Sequence, residues 1–184
     1  HQTQRLRAEA NYYYYSFNDF VFLAPTGMTD PGSGFPIAEY RQGDSRFTGT
    51  ELNIDVTAGK YVNVFAGLDY VNAQLDDGRP LPRIAPLRGR VGVDIHRNSF
   101  TIRPEFVMAG RQDRIFTNET PTAGYGTANV TASYIISRQH VAHVLSVNAY
   151  NLNDKLYFNH ISFIKDISPE IGRGVRFTYT VRFF

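Results

Sequence analysis

The chain has no cysteine, no tryptophan and only two methionines among its 184 residues. Without thiols there is no disulfide framework, no thiolate metal site and no cysteine nucleophile. Neither sign of charge predominates: 19 basic residues face 17 acidic ones, a net +2. That balance argues against a nucleic-acid surface, and no nucleic-acid partner is expected. No apolar run approaches the roughly 18 residues of a membrane helix. A helical membrane protein is therefore excluded, but a membrane crossed by strands is not, because alternating strands average to mild hydropathy. Neither an initiator methionine nor a signal peptide precedes His1, so a mature form or a fragment is expected.

What is present is aromatic and alternating. Twelve tyrosines and fourteen phenylalanines make up 14% of the chain. Helical periodicity is scarce, whereas period two recurs almost throughout. The pattern predicts eight strands, at 4–22, 40–56, 61–74, 87–96, 99–112, 125–136, 141–152 and 173–184. In the third, Val62, Val64, Ala66, Leu68 and Tyr70 share a face. In the last, Val175, Phe177, Tyr179, Val181 and Phe183 oppose Arg176, Thr178, Thr180 and Arg182. Short links at 57–59, 97–98 and 137–139 alternate with long ones at 24–37, 75–86, 113–124 and 153–172. Strands longer than the usual five or six residues, joined alternately by tight turns and long loops, are the pattern of an outer-membrane barrel. The expected fold class is all-β: an antiparallel transmembrane β-barrel with eight strands visible, and residues 1–184 forming one barrel segment.

Several stretches resemble, in order, the C-terminal third of TonB-dependent outer-membrane receptors. They are Phe17-Asn18-Asp19-Phe20-Val21-Phe22-Leu23, Tyr40-Arg41-Gln42-Gly43-Asp44-Ser45-Arg46-Phe47, Leu81-Pro82-Arg83-Ile84-Ala85-Pro86-Leu87-Arg88, Asn118-Glu119-Thr120-Pro121-Thr122-Ala123-Gly124-Tyr125, Asn151-Leu152-Asn153-Asp154-Lys155-Leu156-Tyr157 and Gly172-Arg173. The segments 159–166 and 118–124 resemble the zinc-uptake branch, and related sequences serve iron complexes. The resemblance implies a barrel of about 22 strands, of which these are the last eight, around an N-terminal plug. The plug is not within this sequence. The implied function is TonB-dependent uptake of a scarce metal or metal chelate (zinc, a ferric siderophore or haem) across the bacterial cell outer membrane. This chain would supply barrel wall and extracellular loops. Implied partners are the outer-membrane bilayer, TonB through the plug, the barrel-assembly machinery and the metal or metal-chelate cargo, with no cofactor. Phe183, in phase with the apolar face, is expected to be the assembly signal, with Phe184 as an extra residue.

Among single residues, His160 lies in a long loop with Asp166 and Glu170. These three are the candidate substrate contacts, and His160 is also the candidate metal ligand. Its alternative role is to order the loop by hydrogen bonds. Arg88, Arg90, Arg103, Glu105 and Arg111 are expected to face the lumen as a charged track, paired across strands. His140 and His143 are three apart on a strand, which puts them on opposite faces and argues against a shared metal. His96 is expected to be a lumen histidine. Tyr12 and Tyr14 are expected in the interfacial girdle, and Phe17, Phe20 and Phe22 at the base of the loops. Asn118-Glu119-Thr120 and Asn129-Val130-Thr131 match glycosylation acceptors by chance. No nucleophile–base pair appears, so the protein is not expected to be an enzyme. The alternative to receptor wall is a stand-alone, closed eight-stranded barrel with a structural or binding role.

Overall fold

The computed structural model describes residues 5–184. Eight strands follow one another: β1 (Leu6–Thr29), β2 (Pro36–Thr57), β3 (Val62–Leu75), β4 (Arg88–Arg97), β5 (Phe100–Ala109), β6 (Tyr125–Arg138), β7 (Val141–Tyr150) and β8 (Gly174–Phe183). Every neighbour in sequence is an antiparallel neighbour in one sheet of order β1 to β8. Among the described residues β1 and β8 do not pair with each other, so the sheet is open. The closed eight-stranded barrel is not the form this chain takes. Two free edges in lipid would leave backbone groups unpaired, which is costly where no water can replace the partner.

The register puts the expected faces together. Val62, Val64, Ala66 and Leu68 stand opposite Ile95, Val93, Val91 and Gly89. Across β6 to β8, Val130, Ala132 and Tyr134 meet Ala149, Val147 and Leu145, which meet Val175, Phe177 and Tyr179. The other face carries Asp69 opposite Arg88 and Gly67 opposite Arg90. Large apolar side chains on the first face stay open, with Phe177 78% and Tyr179 60% exposed. An apolar face of this extent demands a non-aqueous neighbour.

Two expectations need correction. The span 24–37 is not a long loop: β1 and β2 pair out to Thr29↔Pro36, leaving only a tip. Strands of 24 and 22 residues exceed the 9–11 residues or so that cross a bilayer, so this hairpin projects well past it. The fifth strand stops at Ala109 rather than at residue 112. Arg111 therefore lies outside the wall, where it pairs with Asp113 at 2.6 Å.

Within β1 the register shifts between Phe17 and Phe20, which pair Ser45 and Gly43. One extra residue is accommodated, as in a β-bulge. Asp19 adopts a positive φ of 52°, and its N–H donates to Asp44 Oδ1 at 2.9 Å. Asp tolerates this left-handed geometry better than most residues. The bulge inverts the phase of β1. Below it odd residues share the charged face, and above it even residues do. Tyr13, Tyr15, Phe17, Phe20 and Phe22 thereby come to one side.

The small apolar core lies beyond the sheet's middle. Phe22, Ala24, Ala73, Leu75, Leu81 and Phe116 are buried together, and the Phe22 and Phe116 rings meet edge to face at 5.6 Å. The core thus joins the outer ends of β1 and β3 to the segments 76–87 and 110–124.

Candidate functional site

The loops leaving the long-connection end of the sheet are tied by a polar network. Glu119, 6% exposed in its side chain, accepts the Arg83 N–H through Oε1 at 2.7 Å and the Phe116 N–H through Oε2 at 2.9 Å. Arg83, held at a φ of 55°, donates from its guanidinium to the Leu23 carbonyl. It also stacks over the Phe163 ring, 4.0 Å from its centroid. A single acid thereby links two loops, and the arginine beside it reaches β1 and the last loop.

His160 is 2% exposed. Its Nδ1 shares a hydrogen bond with Thr122 Oγ1 at 2.9 Å, and its Nε2 stands 3.8 Å from Glu119 Oε1. Burial pushes the imidazole below its ordinary pKa, against the opposing pull of Glu119. It is therefore neutral at pH 7. Lys165 is buried beside it, donating to the Thr120 carbonyl at 3.0 Å, to the Thr120 hydroxyl and to Asp166 Oδ1 at 2.9 Å. Burial would raise the Asp166 carboxyl, but the hydrogen bonds from Lys165 and Thr120 hold it below its ordinary value.

The asparagines of the 151–157 stretch anchor this last loop. Asn151, buried and at a φ of 49°, donates to the carbonyls of Lys155 and Ile171 and accepts the Lys155 N–H. Asn153 bonds both the Ala128 N–H and the Gly126 carbonyl. Side-chain amides here replace the ladder that the chain leaves at Tyr150, as buried backbone groups require.

His160, Asp166 and Glu170 are not convergent around one open point. His160 is interior, and Asp166 is at the surface, 54% exposed in its side chain. Glu170 lies at the Tyr125–Tyr157 pair, whose rings are 4.2 Å apart, and its charge raises the Tyr157 hydroxyl's pKa, second to burial itself. Among the described residues no group of three or more His, Cys, Asp or Glu side chains is arranged to hold a metal ion. Glu119, Thr122, Thr120 and Lys165 were not singled out as site residues from sequence. Glu119, Thr120 and Thr122 stood only in a stretch resembling the receptor family, and Glu119 and Thr120 also in a chance glycosylation match. For Lys165 the local signal was its place directly after Ile161-Ser162-Phe163-Ile164.

On the charged face, Arg88 pairs with Asp69 at 2.5 Å and Arg103 with Asp94, Nη2 to Oδ2 at 2.6 Å. Arg90 and Glu105 lie on the same face by register. His96 packs edge-on to Tyr61. Further out, Tyr13, Tyr15, Phe17, Phe20 and Phe47 form a chain of ring contacts at 5.2–6.0 Å. They line a concavity of about 570 Å³ with Glu51 at its foot.

The chain matches the family model described as TonB dependent receptor-like, beta-barrel, over residues 1–152. Among solved structures it is similar to the copper transporter OprC, with 24% identity and a TM-score of 0.81, over 99% of this chain and 29% of that one. It is also similar to the ferripyoverdine receptor of the outer membrane of Pseudomonas aeruginosa, at 18% identity and a TM-score of 0.65, over 98% of this chain and 25% of that one. The FrpB iron transporter from Neisseria meningitidis (F3-3 variant) gives 18% identity and a TM-score of 0.69, over 96% of this chain and 28% of that one. None of the curated proteins is a significant match. The chain spans less than a third of the length of these solved proteins. It belongs to the TonB-dependent receptor β-barrel family, a family of bacterial outer-membrane receptors rather than enzymes.

Proposed function

We propose that this chain is the last eight strands of a full-size receptor barrel and that the whole protein imports a scarce metal as an organic chelate. In this reading residues 1–184 are wall and outer loops, while a plug elsewhere in the protein engages TonB. The observation that carries the chelate reading is the aromatic shelf on the lumen face. Five rings from Tyr13 to Phe47 sit below the loops, beside Glu51. Such a surface suits the flat, partly apolar body of a siderophore or haem, since aromatic pairs contribute about 0.5–1.5 kcal/mol beyond burial. A hydrated zinc ion would instead need three or four converging donors. The copper and iron cargoes named for the similar solved proteins are compatible with either form of metal.

Within this reading His160 serves as an internal post of the loop cap, while Asp166 and Glu170 stay at its surface as the substrate-facing carboxylates. Phe183 is the residue presented to the barrel-assembly machinery. The test is calorimetric titration of the full-length receptor with a ferric catecholate, a ferric hydroxamate, haem and zinc chloride. One of the chelates is expected to bind and zinc chloride is not. Binding of zinc with none of the chelates would overturn the chelate reading and return attention to His160.

A further inference from the structure

The lipid-facing side of β5 to β8 is not smooth. A groove of about 490 Å³ runs across it, walled by Phe100 and Tyr134 on one side and Phe177 and Tyr179 on the other, over a floor of Ala132 and Val147. Ala132, Leu145 and Val147 between the aromatic walls make an apolar trough that suits a hydrocarbon chain. Two features mark the end of this groove nearer the short turns, which in these barrels is the periplasmic end.

The first is charge. Arg97 pairs in register with Phe100, and Phe100 with Tyr134. Arg138 follows Tyr134 by four residues on the same strand face. Strand spacings place Arg97 roughly 10 Å from Tyr134 across two ladders, and Arg138 roughly 13 Å from it along β6. Both arginines are exposed, and among the described residues neither pairs with a carboxylate, unlike Arg88 and Arg103. The turn stretches 57–61, 97–99 and 138–140 carry Lys60, Arg97 and Arg138 but no acidic residue.

The second is a polar pair on the apolar face. His143 shares a hydrogen bond through Nδ1 with the Tyr179 hydroxyl at 2.7 Å. It stands opposite Ile136 and Val181, between the groove and Arg138. That bond leaves Nε2 as its remaining hydrogen-bonding nitrogen.

We propose that this groove and rim bind one phospholipid of the periplasmic leaflet, an acyl chain lying between the aromatic walls and the phosphate held by Arg97 and Arg138. Unpaired guanidinium groups bind phosphate through several donors at once, and a cation at the bilayer surface favours anionic lipid by about 1 kcal/mol. The preferred occupant is therefore phosphatidylglycerol over a zwitterionic lipid. A second copy of this face is a poorer occupant, because it would bring the same unpaired arginines against these.

The experiment is native mass spectrometry of the delipidated full-length receptor in detergent, titrated with phosphatidylglycerol, phosphatidylethanolamine or glycerol phosphate. Heat-dependent gel mobility checks that each barrel is folded. The wild type is expected to retain one phosphatidylglycerol in preference to phosphatidylethanolamine. The paired change Arg97→Gln and Arg138→Gln is expected to weaken retention about tenfold, equivalent to about 1.4 kcal/mol. Ala132→Phe fills the floor and is expected to abolish retention with both arginines intact, a second route if the arginine variant does not fold. Glycerol phosphate is not expected to compete. Equal retention by wild type and variants, displacement by glycerol phosphate, or a lipid-free dimer through this face would each overturn the proposal.

Discussion

Nε2 of His160 stands 3.8 Å from Oε1 of Glu119, with both side chains almost sealed from solvent. The distance is too long for a hydrogen bond, and among the described residues Nε2 has no other partner. The tautomer that directs Nε2–H at the carboxylate leaves Nδ1 to accept from the Thr122 hydroxyl. A neutral imidazole thus spans two loops, and the loop cap inherits its titration.

His160 has a folded-state pKa below its ordinary 6.5, chiefly through burial. Below that ordinary value the unfolded loop binds the proton more readily than the folded one. Stability of the cap is therefore full above about pH 6.5 and falls as pH drops from there towards the lower folded value. Protection of the amides at 116–124 and 157–168, taken relative to intrinsic exchange at each pH, is expected to fall between pH 7 and 5 in the wild type. In His160→Gln the pH dependence of that protection should vanish, with weaker protection at every pH. An unchanged pH slope in the variant would remove His160 from the role.

Lys165 holds Thr120 by two hydrogen bonds and Asp166 by one. Lys165→Met keeps most of the stem but leaves the Thr120 carbonyl without its donor, at a cost of about 1–3 kcal/mol. Protease cleavage of intact cells within 113–124 or 153–172 is expected to rise, while the wall stays resistant.

The bulge at Asp19 sets the phase of everything above it on β1. Deleting Asp19 would remove the extra residue and leave a regular strand, in which Phe20, Phe22 and Ala24 keep their face and their partners on β2. The core around Phe116 should then be kept, and proteolysed loops in that variant would contradict the bulge. Asp19→Gly, which retains the positive φ at little steric cost, should leave them intact.

Gly92 stands opposite Phe65, whose ring covers it while the Arg103 guanidinium lies 5.1 Å from the ring centroid. A Cβ at this position would enter the Phe65 ring and sit 2.7 Å from the Pro104 carbonyl oxygen. Gly92→Ala is expected to destabilise the barrel by about 1–3 kcal/mol, as overpacking does, seen as unfolding at lower urea. The same change at Gly59, where a Cβ meets nothing, should be near neutral.

The wall was legible because its two faces obey period two over long stretches. Val62 to Leu68 and Val175 to Phe183 each declare their side, and the register matches them as expected. The bulge was not legible: Asn18-Asp19 tolerates positive φ, but nothing local says that the chain uses it there. That one residue hid the lumen position of Phe20 and Phe22 and the length of the first hairpin. In the loops, His160 stood out by its type, yet its partners come from residues 38 and 41 positions away, Thr122 and Glu119. Burial of His160 and Lys165 is a property of packed loops rather than of any local pattern.

The central claim is that these eight strands are one part of a larger receptor wall. Intact mass of the natural protein, extracted from outer membranes and tied to this chain by peptides such as 141–150, tests it most directly. The account predicts a mass several times the 20.8 kDa of this chain. A mass near 20.8 kDa would contradict it, because the open edges of β1 and β8 would then have no wall of their own chain to join.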